Sequence, residues 1–322
     1  MGEVPERVLR AVGGPEVIGR LAGLSGSDFT SVMLEVARRR AARETPATLL
    51  RRYRSDRFVQ PAGTDRQRLQ RIEDILAAHL PPGTEVLTLP PMVPLGTHSV
   101  LGPMSQDRVV TAMRASEIAA DPTNVLALEA AVRRRTGPGD AVRLAAFQRV
   151  VRAPRPRPGN LPHFSLLGLV TAGRDDGGHR FERSAVAEHV RGLAGGLSAA
   201  GLRRLQLALT PLSPAGEAVA AGLATDLTDA SVEITIDAER QAGRGYYRDL
   251  CFKVSVADDR SPSASDEPAW VEVCDGGFTD WIARLTASTK ERLLISGAGI
   301  DRIAALVPLG SPRRAEPAGG YR

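Results

Sequence analysis

Three stretches near the end of the 322-residue chain hold residue types suited to binding or catalysis: GRGYYRDLCFKV (243–254), EVCDGGFTDWI (272–282) and LLISGAGIDRI (293–303). The last predicts a strand over 293–296, small residues at Gly297, Ala298 and Gly299, and a helix from Ile300. A strand, glycine turn and helix can bring backbone N–H groups to an anion, and Arg302 falls in the first turn of that helix. Packing alone also accounts for glycines in such places. The first stretch predicts a strand entered through Gly243 and Gly245 and continued by Leu250, Phe252 and Val254 at period two. Tyr246 and Tyr247 alternate along it, so only one of them can face a pocket on a given side. The second stretch reads as a short apolar strand (Trp270, Val271, Val273) closing in a turn at Gly276 and Gly277, with a helix after it.

Composition narrows the chemistry. Charged residues make up 25% and apolar residues 43%, ordinary for a globular protein, while aromatics are only 4%, so the core rests on Leu, Val, Ile and Ala. The two cysteines, Cys251 and Cys274, are too few for a disulfide framework or a zinc site and fall in predicted strands as buried thiols. His98 lies in a Gly/Thr/Ser loop without a ligand partner nearby in sequence and reads as incidental. No apolar run is long enough to span a bilayer and no secretory signal opens the chain, which points to a cytoplasmic protein. The +5 net charge is concentrated at 38–57, 133–135 and 149–157. Aromatics that would stack on single-stranded bases are not interleaved with it, so RNA is possible but not the favoured partner.

The elements that must position these residues follow from periodicity. Residues 1–60 predict a helical N-terminal extension whose basic end reads first as a solvated face, or else as an arm that touches RNA or a partner protein. GTDRQRLQRIEDILAAHLPPG predicts a helix capped by Thr64 or Asp65, with Leu69, Ile72, Ile75, Leu76 and Leu80 on one face. The strand EVLTL follows. VLALEAAVRRR predicts a helix capped by Asp121 or Thr123. AVRLAAFQRVVRA and HFSLLGLVTAG predict two antiparallel strands around the loop PRPRPGN. An α–β step at 181–212, a short helix and the strand VEITID lead to the three stretches. SPSASDEP reads as a surface loop and 311–322 as a disordered tail.

In this order the motifs resemble a class II synthetase core of the histidyl-tRNA synthetase type. The Tyr-Tyr strand falls on Tyr246 and Tyr247, the glycine loop on Gly276-Gly277-Phe278-Thr279-Asp280, and motif 3 on Gly299-Ile300-Asp301-Arg302-Ile303. The helix and proline-ended strand at 64–91 look like motif 1, which in that family builds a dimer interface. The segment IAADPT keeps Asp121 and Thr123, where the family holds the α-ammonium of its amino acid; a helix cap explains the same two residues. Residues 137–173 look like motif 2, with F-R-x-E-R falling on Gln148-Arg149-Val150-Val151-Arg152.

The resemblance implies an α+β fold over 61–310, a mainly antiparallel sheet flanked by helices, without the family's anticodon-binding domain. It implies Arg149 and Arg302 as phosphate-neutralising catalytic residues, and Phe164 and Gly299 beside them on the nucleotide. The amino-acid pocket would fall to Asp121, Thr123, Tyr246, Tyr247, Gly276 and Gly277. ATP and Mg2+ would be the cofactors of an adenylate-forming ligase acting on an amino acid, with a non-tRNA or unknown acceptor and a homodimeric assembly. A carrier or partner protein could receive the acyl group. Two departures stand against this activity: the adenine-reading glutamate is Val151, and an arginine four residues before the first tyrosine is Ala242. They favour the alternative, a non-catalytic amino-acid-binding subunit resembling the regulatory subunit of ATP phosphoribosyltransferase, whereas the retained Arg149 and Arg302 favour the ligase.

Overall fold

Local signals start the helices that carry the sheet. The computed structural model describes residues 4–102, 104–112, 115–137, 139–152, 161–258 and 269–308. Four helices come first: α1 (Glu6–Ala11), α2 (Glu16–Ala22), α3 (Gly26–Ala41) and α4 (Pro46–Ser55). None of them contains a buried residue. Helix α5 (Arg66–Ala77) is capped by the Asp65 carboxylate and buries Leu69, Ile72 and Leu76, the apolar face expected from sequence. Strands β1 (Glu85–Val86) and β2 (Met92–Pro94) follow; β1 is shorter than EVLTL suggested, although the Leu87 N–H still donates to the Ala145 carbonyl (2.8 Å).

The short helix α6 (Thr97–Leu101) takes the place of the expected loop and leads to β3 (Thr111–Ala112) and β4 (Ser116–Ile118). His98 is not incidental there. It is buried, its Nε2 accepts from the Ala120 N–H (3.0 Å), and its Nδ1 therefore donates to Asn124 Oδ1 (2.8 Å). Glu117, also buried, accepts from the N–H groups of Gly96 and His98 and fixes the start of α6.

The core continues with α7 (Pro122–Thr136), β5 (Val142–Val151), β6 (His163–Arg174), α8 (Arg180–Ala199), β7 (Leu205–Pro211), α9 (Pro214–Asp226) and β8 (Glu233–Ile236). It ends with β9 (Arg248–Asp258), β10 (Ala269–Thr279), α10 (Trp281–Thr286), β11 (Glu291–Gly299) and α11 (Ile300–Leu306). One eight-stranded sheet runs β1-β5-β6-β11-β10-β9-β7-β8, antiparallel except for the parallel β1–β5 and β7–β8 edges. A small β2-β4-β3 sheet stands beside it. The fold is α+β with a mainly antiparallel sheet flanked by helices, as the motifs implied.

Register assigns the strand residues to two faces. One packs with α5, α8, α9 and α11 around Leu167, Leu169, Phe252, Val254, Cys274 and Leu294. The other packs with α7 and α10 around Leu144, Val170, Cys251, Tyr247, Trp281 and Ile295. Both cysteines are buried free thiols. No helix among the described residues is long and apolar enough to cross a membrane. The readings of PRPRPGN, SPSASDEP and the tail 311–322 fall outside the described residues.

Two local expectations are corrected. Gly276 and Gly277 do not turn; they lie inside β10, paired with Ser296 and Ile295 of β11. They are glycines because rings fill the space a Cβ would need: Phe252 Cζ would stand 2.5 Å away at Gly276 and Tyr247 Cδ1 2.6 Å away at Gly277. Tyr246 and Tyr247 precede β9 instead of alternating within it. Left-handed Gly243 and Gly245 (φ +88° and +80°) form the turn that brings both rings to the α7 side.

Candidate functional site

Asp121 caps α7, and Pro122 fills the first helical position, where a missing N–H costs nothing. Its Oδ1 accepts from the Thr123 N–H (2.9 Å) and hydroxyl (2.8 Å), and its Oδ2 accepts from the Arg152 guanidinium (3.1 Å). Arg152 also donates to the Ala120 carbonyl (2.8 Å) and lies over the Phe164 ring at 5.3 Å. Pro122 sits on Gly168, where a Cβ would come within 2.7 Å of its ring. That close approach sets the carboxylate directly above the sheet.

The tyrosines form the opposite wall. Their rings meet edge-to-face at 4.6 Å, and Tyr246 meets Trp281 in the same way at 5.5 Å. The Tyr246 phenol is pushed well above its usual pKa, by burial first and then by the Asp121 carboxylate, with Thr123, Arg152 and Asp275 also in reach. Burial and Asp275 do the same to Tyr247. Both hydroxyls therefore stay protonated near neutral pH.

Beyond the tyrosines lies Arg240, 8% exposed. Its Nη2 donates to Asp275 Oδ1 (2.8 Å), its Nε donates to the Ala242 carbonyl (2.8 Å), and its buried Nη1 has no partner among the described residues. A second unpaired atom on this face is Gln148 Oε1; the amide's other end donates to the Pro90 carbonyl (2.8 Å). Between these groups the floor is open. Gly297 stands opposite Asp275 on one side and Gly168 on the other, and the nearest atom to a Cβ there would be 3.6 Å away.

Of the residues singled out from sequence, Asp121, Thr123, Tyr246, Tyr247, Gly277 and Phe164 share the α7 side of the sheet. Gly276 faces the opposite core. Gly299 ends β11 on the α7 side, opposite Leu166. Arg149 is turned away from Asp121: it pairs with Ser165 across the hairpin and contacts Ser165 Oγ (3.2 Å), His163 Nδ1 (2.8 Å) and Asp301 Oδ2 (3.8 Å) on the α5/α11 side. The F-R-x-E-R correspondence is the reason. Strand alternation sends Gln148, Val150 and Arg152 to the face of Asp121, and Arg149 and Val151 to the other. Arg302 is exposed beside the end of β10 and donates to the Glu272 carbonyl (2.6 Å).

Sequence reading missed Arg240, Asp275, Arg152 and Gln148. Period two counted from Ala146 would have found Gln148 and Arg152. Arg240 had no such signal, because the turn before the tyrosines sets its distance from them.

A nucleotide fits this face poorly. Gln148 and Val150 are neutral, Arg152 is held by Asp121, and the nearby Phe164 ring is covered by Arg152. Among the described residues no three acidic, histidine or cysteine side chains gather around one point, so magnesium would draw its ligands mainly from phosphate and water.

By sequence, no protein-family profile and no curated protein matches the chain. Solved structures match by fold. An ATP phosphoribosyltransferase regulatory subunit/histidyl-tRNA synthetase from Bacillus halodurans superposes with TM-score 0.61 at 14% identity, over 78% of this chain and 83% of that one. Apo histidyl-tRNA synthetase of S. aureus gives 0.58 at 14% identity over 77% and 69%. A histidine–tRNA ligase subunit from Alicyclobacillus acidocaldarius gives 0.54 at 14% identity over 77% and 96%. The chain has the fold of a class II synthetase core of the histidyl type.

Proposed function

We propose that the protein binds a free α-amino acid on the α7 face of the sheet, as a non-catalytic binding subunit. The observation that carries this reading is the unpaired, buried Arg240 Nη1 across the open Gly297 floor from the Asp121 carboxylate. A zwitterion complements both ends: its carboxylate completes the Arg240 guanidinium, and its ammonium shares Asp121 with Thr123 and Arg152. Gln148 Oε1 is a further acceptor, and the tyrosines wall in the side chain. The reading runs parallel to the regulatory role named for the Bacillus halodurans protein. A cytoplasmic homodimer goes with it, and sedimentation of the full chain tests the assembly.

Calorimetry of the full chain against a panel of free amino acids tests it. One or more should bind, and neither the methyl ester nor the des-amino acid of the binder should compete. Arg240→Gln and Asp121→Asn should each weaken binding by roughly ten- to a hundredfold, the loss of a charge-assisted hydrogen bond. No binding by any amino acid, or full affinity in both variants, sinks the proposal.

The second reading, ATP-dependent activation with transfer to an unknown acceptor, rests on Arg302, a solvent-exposed guanidinium just after Gly299. It requires ATP and magnesium to bind the wild type and not Arg302→Ala, and amino-acid-dependent pyrophosphate exchange to follow.

A further inference from the structure

Helix α4 is specified by its own sequence and is exposed at every residue but Thr48. Thr45 accepts from the Thr48 N–H (3.2 Å) while the Thr45 N–H donates to Thr48 Oγ1 (2.8 Å), a reciprocal cap, and Pro46 opens the helix. Thr48 alone is half-buried, and its hydroxyl also donates to Glu44. One side carries Pro46, Leu49, Leu50 and Tyr53, spaced i, i+3, i+4, i+7, with Leu49, Leu50 and Tyr53 exposed by 55%, 57% and 45%. Amphipathic helices of globular proteins bury such a stripe. This one is bare, and neighbouring α3 exposes Val32 and Val36 as well.

The flanks state what could cover it. Residues 26–57 hold eight arginines against four acidic residues, and those acids are partly spent: Glu35 pairs with Arg38 and Arg39, and Glu44 with Arg52. Arg40, Arg43, Arg51 and Arg54 make no ion pair among the described residues. A second copy would set these arginines against one another. A nucleic acid would match the charge and leave the leucines uncovered. The four-residue apolar stripe on a ten-residue helix is the anchor pattern of a helix lying in a protein groove.

We propose that α4 docks into an apolar groove rimmed by carboxylates on a different, acidic protein, with Leu49, Leu50 and Tyr53 as anchors and Arg52 and Arg54, which flank the stripe, pairing with the rim. The arm would then connect the amino-acid-binding core to its partner, although the docking claim does not depend on what the core binds.

A defined probe tests this with the full chain: a fluorescent amphipathic peptide with leucine at heptad positions a and d and glutamate at e and g. Two control peptides replace glutamate by lysine or leucine by serine. The acidic leucine peptide should bind, and both controls should bind at least about tenfold more weakly, since rim and anchors are both needed. Leu49→Ser with Leu50→Ser should remove binding without changing the melting temperature, because both side chains are exposed. Arg52→Glu with Arg54→Glu should exchange preference toward the lysine peptide.

Equal binding of the serine control, or unchanged binding by the Leu49→Ser/Leu50→Ser variant, would overturn the proposal in favour of a purely electrostatic arm. Failure of the acidic leucine peptide to bind, self-association that the leucine substitutions abolish, or tighter binding to single-stranded RNA or to phosphatidylglycerol vesicles than to the peptide would overturn it too.

Discussion

The two faces of the eight-stranded sheet share their strands and are finished in opposite ways. Toward α5, α8, α9 and α11 the space is filled. Phe252 occupies the room above Gly276, and the buried His189 is bonded at both nitrogens, Nε2 to Thr171 Oγ1 and Nδ1 to Ser296 Oγ, each 2.9 Å. Among the described residues Glu182 Oε2 is unpaired there, on a carboxylate whose other oxygen accepts from Arg292. Toward α7 the floor at Gly297 is open, and Arg240 Nη1, Gln148 Oε1 and Thr279 Oγ1 are buried without partners among the described residues. Buried polar atoms are ordinarily paired, so several orphans beside an open glycine mark a face shaped for something added to it. The packed face specifies the fold, and the α7 face is the one on which the amino acid is proposed to bind.

If that division is right, the largest losses of stability belong to the packed face. Phe252→Ala removes a fully buried ring, and urea unfolding should show a loss of about 3–5 kcal/mol. A loss below about 1 kcal/mol would mean that this core is looser than its contacts indicate.

The same face should govern behaviour in acid. Burial, with Arg143 adding to it, lowers the His189 pKa from 6.5 to about 3. Below about pH 6.5 the unfolded chain takes up a proton that the native ring refuses until about pH 3, so stability falls as pH falls through that window. The slope is about 1.4 kcal/mol per pH unit, or about 2.5 kcal/mol between pH 7 and 4.5. Unfolding at both values, for wild type and His189→Gln, isolates this contribution. It should be missing from the variant.

A pair of glycines sharpens the contrast. At Gly276 a methyl group would meet Phe252 and also the Ile295 carbonyl oxygen at 2.8 Å, and backbone cannot step aside, so Gly276→Ala should cost about 1–3 kcal/mol. Gly297→Ala meets nothing closer than 3.6 Å and should leave stability within about 0.5 kcal/mol. Its methyl would instead occupy the floor where a ligand is proposed to lie. A fall of about tenfold in amino-acid affinity with an unchanged melting temperature is expected. Unchanged affinity would move the ligand off this floor.

Much of the fold was legible because it follows from local rules. The Asp65 cap with Leu69, Ile72 and Leu76, the Asp121 cap, and the period two of Leu250, Phe252 and Val254 each fixed an element in sequence. What escaped depends on three-dimensional proximity. Gly276 and Gly277 resemble a turn until Phe252 and Tyr247 are seen above and below the strand. His98 resembles a loop histidine until Asn124 and Ala120 are folded against it. Arg240 has nothing in sequence to separate it from its neighbours; only burial against Asp275 distinguishes it.

Arg149 gives the smallest expected effect and the most direct comparison of the two faces, because its motif position and its strand register disagree. As the motif arginine it would hold ligand beside Asp121. Its register instead ties three segments together at the rim of the packed face. Arg149 donates to His163 Nδ1, whose Nε2 in turn donates to the Gln60 carbonyl (2.7 Å). Beside it, Asp301 accepts from the Ser165 N–H (2.6 Å) and the Thr64 hydroxyl (2.9 Å). The Arg149 side chain is 34% exposed, so water replaces most of what Arg149→Met removes, and the stability loss should stay below about 1 kcal/mol. Amino-acid affinity should not change, whereas Arg240→Gln lowers it. If Arg149→Met abolishes binding while Arg240→Gln does not, the ligand lies on the α5/α11 side, and the assignment of the two faces must be exchanged.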